Sequence, residues 1–120
     1  MIVGIGTDIC EINRIQPGAG FANKILSESE KQVLATKKNK QAYLAKRFAS
    51  KEAISKAFGC GIGSKLSFKD ISILNNDAGA PYVEITESAK AKLPAFSSIH
   101  ISISDESNYA IAYVVVENND

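Results

Sequence analysis

Cysteine, proline, histidine and long apolar runs are all scarce in this 120-residue sequence, and tryptophan is absent. The two cysteines, Cys10 and Cys60, show no metal-ligand spacing. Neither a disulfide framework nor a zinc ribbon is expected, and the usage fits a reducing cytosol, so a cytoplasmic protein is expected. His100, the single histidine, gives no serine–histidine–acid triad to assemble. The longest unbroken apolar run is the eight residues Tyr109 to Val116, suited to a buried strand and far short of the ~20 residues a bilayer requires. No basic leader opens the chain, and Asp8 falls where a signal sequence would need its apolar stretch. Three prolines, no internal repeat and no low-complexity tract leave no linker, so one domain over residues 1–120 is expected. Membrane, secreted, collagen-like and disordered classes are thereby excluded.

What is present is ordinary in amount and uneven in placement. Apolar residues make up 45% and charged residues 22% of the chain, enough for one core without disulfides or structural metal. The formal net charge is +1, yet residues 31–65 carry nine bases and one acid, while residues 66–120 carry three bases and eight acids. A lysine-rich block of this kind is either a solvated helix face or the footprint of an anionic partner. Its lone acid, Glu52, therefore draws the eye.

The order of elements predicts an α+β fold: an N-terminal strand, helices, then mostly antiparallel strands. In the first strand, Met1–Ile9, residues Ile2, Gly4, Gly6 and Asp8 share one face, and two glycines let another backbone or a ligand come close. Residues 11–26 read as a short helical stretch broken at Pro17, Gly18 and Gly20. Ser27 and Glu30 form a capping-box pattern opening a helix to about Lys38, and a second helix is expected from Lys40 to Phe58 with Gly59 as its stop. Strands follow at Phe68–Leu74, Pro81–Ile85, Ile99–Ser104 and Tyr109–Glu117, with a short helix capped by Thr86.

Chemistry concentrates at two acids. On a helical wheel with Ala45 at zero, Phe48 lies near about −60°, Glu52 about −20°, Lys56 about +20°, Ala49 about +40° and Ala53 about +80°. Glu52 and Lys56 thus lie within the small, apolar arc expected to face the sheet. The plain alternative is an exposed i,i+4 pair. An inward carboxylate needs a cation, a hydrogen-bond network or a metal. Asp8, ending the glycine face, would supply a second carboxylate, and two carboxylates plus substrate oxygens is how Mg²⁺ is usually held. Lys56 would then be a point charge for a phosphate, and the Gly59–Gly63 loop could add backbone N–H groups to an anion nest.

These residues resemble a known family. Gly4-Ile5-Gly6-Thr7-Asp8-Ile9 with Glu11-Ile12 and Arg14-Ile15, then Arg47-Phe48-Ala49-Ser50-Lys51-Glu52-Ala53-Ile54-Ser55-Lys56-Ala57-Phe58-Gly59, are similar to the signatures of bacterial holo-acyl-carrier-protein synthases. Gly79-Ala80-Pro81 and His100-Ile101-Ser102-Ile103-Ser104 resemble the family's downstream elements, and the likeness runs along nearly the whole chain. It implies a 4′-phosphopantetheinyl transferase of fatty acid biosynthesis, which moves phosphopantetheine from coenzyme A to a serine of the apo acyl carrier protein and releases adenosine 3′,5′-bisphosphate. By the same resemblance, Asp8 and Glu52 hold Mg²⁺, and Lys56 contacts the phosphates. Arg47, Gly79, Pro81 and His100 help hold the nucleotide, and Arg14 meets the carrier protein. Glu52, or a metal-bound water that it orients, takes the serine proton. The family is typically a homotrimer with sites between protomers. Cys60 stands at a loop position the family often fills with Thr.

A reading from another class is a non-catalytic anion- or nucleic-acid-binding module built on residues 31–65. Against nucleic acid, no stacking platform accompanies the lysines, since Tyr43 and Phe48 lie about 140° apart on the helix. Such a module also gives no reason for Asp8 and Glu52.

Overall fold

The glycine face of the first strand is covered by the longest helix. In the computed structural model, which describes residues 1–16 and 18–119, β1 (Ile2–Glu11) lies directly beneath the helix Lys40–Ala57. A Cβ on Gly4 would overlap the carbonyl oxygen of Ala57, and one on Gly6 that of Ala53. Only glycine permits this backbone-to-backbone approach, and the approach sets how Asp8, two residues on, meets the helix.

Between these elements come a 3₁₀ turn at Ile12–Arg14, α1 (Ala19–Ile25) and α2 (Glu28–Leu34); the long helix is α3. Gly20, expected as a break, lies inside α1, and the break expected at Pro17 falls outside the described residues. The Ser27–Glu30 capping box forms as its pattern predicts. However, α2 stops at Leu34, short of Lys38, because Thr36 and Lys37 turn back onto the carbonyls of Val33 and Leu34. Asn39 caps α3 by accepting from the Ala42 N–H at 3.0 Å, and Gly59, at φ +73°, ends it.

After α3, a 3₁₀ turn at Phe68–Asp70 takes the first residues of the expected strand, so β2 begins at Ile71 and runs to Asn75. It pairs antiparallel with β3 (Pro81–Ile85), and α4 (Glu87–Lys90) follows under its Thr86 cap. The last two strands, β4 (Ser98–Asp105) and β5 (Tyr109–Glu117), join β1 in an antiparallel sheet of order β1-β5-β4. The α+β architecture thus has two separate sheets.

Alternation sorts the larger sheet into an inner and an outer face. Ala110, Ala112, Val114 and Val116 of β5 are fully buried beneath α3 together with Ala45, Ala49 and Ala53. Ile5, Ile9, Tyr109, Ile111 and Tyr113 leave the outer face apolar and exposed. The helix itself is buried nearly all round, because α1, α2 and β2 pack on its far side. That side holds a pair the charge count hides: Lys51 and Glu30 are both fully buried, 2.6 Å apart. Lys51 therefore belongs to the core and not to a solvated basic face.

Candidate active site

Where the glycine face of β1 ends, Asp8 emerges half-buried beside the C-terminal half of α3. Lys56 donates from Nζ to Asp8 Oδ1 at 2.9 Å and to the Thr7 carbonyl at 3.0 Å. Glu52, one helical turn earlier, is also half-buried. Burial pushes its carboxyl above the ordinary glutamate range; the Asp8 charge adds to this and Lys56 opposes it. Asp8, Glu52 and Lys56 are thus brought together. Among the described residues there is no group of three or more His, Cys, Asp and Glu that could hold a metal. Two carboxylates as the protein's share, with the remaining positions left to substrate oxygens and water, fit Mg²⁺.

Next to this site a hollow of about 560 Å³ opens between β1 and α3, with Cys10, Arg14, Phe21, Phe48 and Tyr109 among its walls. Phe21 and Phe48 pack at 5.7 Å between ring centroids. Arg14 stands exposed at its rim, paired with Glu11 at 3.0 Å. Burial, with help from Asp8 and Glu11, pushes the Cys10 thiol up, which disqualifies it as a nucleophile. The aromatic pair was not singled out from sequence. Phe48 lies one turn before Glu52 on the same arc, and that spacing was the available signal.

A second cavity, about 710 Å³, lies across α3 between β2, β3 and the end of β4. It gathers Arg47, Gly79 and Pro81 with Lys46, Asn75 and Asp105. Arg47 is 5% exposed, its guanidinium carbon 4.5 Å from the centroid of Tyr43. Its Nη2 donates to Asn75 Oδ1 at 3.0 Å. Its buried Nε has no hydrogen-bond partner among the described residues, Glu30 Oε2 being 3.9 Å away. A guanidinium lining a cavity suits an anionic ligand.

His100 stands apart from both groups, exposed on the outer face of the sheet with Nε2 2.9 Å from Glu117 Oε1. Within one chain the candidate residues therefore fall into three places. Asp8, Glu52 and Lys56 lie by the β1 edge, Arg47, Gly79 and Pro81 by the β4 edge, and His100 on the outer face. Of the glycine loop expected to add to an anion nest, every N–H but that of Ile62 is engaged by a partner among the described residues. The N–H groups of Gly59, Cys60, Gly61 and Gly63 already donate to the carbonyls of Lys56, Ser55, Ser55 and Leu66, and a donor so engaged is not free for a phosphate.

Residues 4–114 match the model of the 4′-phosphopantetheinyl transferase superfamily. The chain is 48% identical, over 98% of each sequence, to the holo-[acyl-carrier-protein] synthase of Shewanella baltica (strain OS223). A crystal structure of a Bacillus anthracis holo-(acyl-carrier-protein) synthase in complex with CoA (3′,5′-ADP) superposes with a TM-score of 0.87 at 41% identity over 99% of both chains. The Neisseria meningitidis holo-[acyl-carrier-protein] synthase gives 0.90 at 36% identity, covering 98% of this chain and all of that one.

Proposed function

This chain belongs to the 4′-phosphopantetheinyl transferase superfamily, and from that premise we propose how its residues divide the work of a holo-[acyl-carrier-protein] synthase. The enzyme transfers 4′-phosphopantetheine from coenzyme A to a serine of apo acyl carrier protein, a step that serves fatty acid biosynthesis. The observation that carries the assignment is the meeting of Asp8, Glu52 and Lys56 at one place on β1 and α3.

Asp8 and Glu52 would hold Mg²⁺, which supplies neutralisation of the charge that builds on the phosphates as the serine hydroxyl attacks the β-phosphate. Lys56 reaches the same point with an ammonium and steadies the departing phosphate. Glu52, or a metal-bound water that it orients, would take the serine proton. Arg47, Gly79, Pro81 and His100 hold the nucleotide of coenzyme A. Arg14, at the rim of the aromatic hollow, meets the carrier protein, whose acidic character suits the basic central block.

The assembly we propose is a homotrimer, with Asp8, Glu52 and Lys56 of one protomer facing Pro81 and His100 of its neighbour. Two features support it: the separation of the two sets within one chain, and the exposed apolar outer face on which His100 stands. No helix among the described residues is long and apolar enough to cross a membrane. Both cysteines are free, in keeping with a cytoplasmic enzyme.

Incubation with coenzyme A, Mg²⁺ and an apo carrier protein, followed by intact mass measurement of the carrier, tests the transfer. The carrier should gain one phosphopantetheine. An unchanged mass, with folded protein and a competent carrier, overturns the assignment, whereas the binding-module alternative predicts that unchanged mass.

A further inference from the structure

We propose that Asn75 is the positioning residue of the second cavity: a single amide that sets the guanidinium of Arg47 and ties it to the β2–β3 turn. The proposal rests on the reading that this cavity takes the adenosine phosphate end of coenzyme A.

Asn75 is the last residue of β2 and lies opposite Pro81 in the antiparallel register. The Asn76 N–H donates to the Ala80 carbonyl, so Asn75 and Pro81 form a non-hydrogen-bonded pair and the proline costs the ladder no donor. The Asn75 side chain, free of the ladder, ties the strand end to the turn and to α3. Its Nδ2 donates to the Gly79 carbonyl at 3.0 Å while its Oδ1 accepts from Arg47 Nη2 at 3.0 Å. The amide's orientation follows from its partners, because a guanidinium can only donate and a carbonyl can only accept. Arg47 belongs to α3, Gly79 to the turn, and both line the cavity with Asn75 between them.

Without this amide, Arg47 keeps two weaker guides. Stacking on Tyr43 at 4.5 Å sets the plane of the guanidinium but not its rotation within that plane. Glu30 Oε2, at 3.9 Å from Nε, draws the cation inward, away from a ligand. A neutral acceptor on Nη2 counters that pull without setting a second negative charge against the guanidinium. Aspartate in its place would hold Arg47 and neutralise it, and would lose the donor to Gly79.

Calorimetric titration of the intact enzyme with adenosine 3′,5′-bisphosphate tests this on wild type, Asn75→Ala, Asn75→Asp, Arg47→Ala and the Arg47→Ala/Asn75→Ala double variant. Asn75→Ala should weaken binding roughly tenfold, the worth of about one hydrogen bond to a charged group. Asn75→Asp should be at least as weak, and Asn75→Ala should add little once Arg47 is gone. In steady state, the KM for coenzyme A should rise far more than kcat falls. Melting curves check that each variant is folded, and the isosteric aspartate stands in if alanine is not. Unchanged binding in Asn75→Ala while Arg47→Ala is weak would overturn the role of Asn75 alone, as would fully additive losses. Unchanged binding in both single variants would overturn the nucleotide reading of the cavity, and this proposal with it.

Discussion

Glu30 shows how much a single side chain can be asked to do. One carboxylate oxygen accepts from the Ser27 N–H that opens α2 and from Lys51 Nζ, while the other accepts from the Ile73 N–H of β2. Lys51 spends its remaining donors on the carbonyls of Ile25 and Phe68. Every proton of the ammonium has an acceptor, which compensates for a burial that pulls its affinity for that proton down. Lys51→Met should cost about 3 kcal/mol, because it removes the nearer of the two cations that face a buried carboxylate, and Glu30→Gln added to it should recover part of the loss. Urea denaturation of the single and double variants measures both. The capping box was legible from Ser27 and Glu30, since it is a local pattern. The burial of Lys51 was not, because the elements that cover it lie some twenty residues away on either side. Asp8→Ala and Glu52→Ala should each abolish detectable carrier modification while leaving the melting curve cooperative. Normal turnover at saturating Mg²⁺ in either variant would remove that residue from the metal site.

Elements were legible wherever their signals are local, and shifted where a turn competed. Helix α3 ends where Gly59 was expected to end it, and the paired glycines of β1 announced a close neighbour. The strand expected from Phe68 starts later because Asp70 folds the chain before it into a turn. Burial works against the Asp70 carboxylate, yet hydrogen bonds from the Ser67 N–H, the Thr86 hydroxyl and the Ser67 hydroxyl outweigh it and hold its pKa below the ordinary 3.8. A lowered carboxylate pKa contributes stability that is present above 3.8 and is lost as pH falls through the lower folded value. Asp70→Asn should therefore destabilise the protein by about 1 kcal/mol at neutral pH, and its melting temperature should converge with the wild-type value only as pH falls well below 3.8. A gap that persists unchanged in acid would mean that the charge of Asp70 is not what pins the turn. The nest expected at Gly59–Gly63 is narrowed for a related reason: composition shows that a loop can present N–H groups, but not that the preceding helix end claims those of Gly59, Cys60 and Gly61, and Leu66 that of Gly63.

At the scale of the whole molecule, the candidate residues lie apart within one chain, and the proposed trimer would join them. The carboxylates, and Arg47, Gly79 and Pro81 of the second cavity, were each singled out from motifs, whereas their separation across the sheet depends on strand order, which no local pattern encodes. Mixing Glu52→Ala protein with a nucleotide-defective His100→Ala protein, after proven subunit exchange, should regenerate some intact sites and raise activity above the sum of the two. Activity no higher than that sum would place each site within one chain. The outer face of the sheet has a further consequence. Its isoleucines and tyrosines are exposed on the same face as His100, so in the proposed trimer the surface that drives association would also complete the site. Dilution should then act as an inhibitor does: below the association midpoint, specific activity falls with enzyme concentration and returns when the sample is concentrated. Output would climb more steeply than abundance over that range, and a modest change in synthesis of the chain would become a larger change in the supply of active carrier.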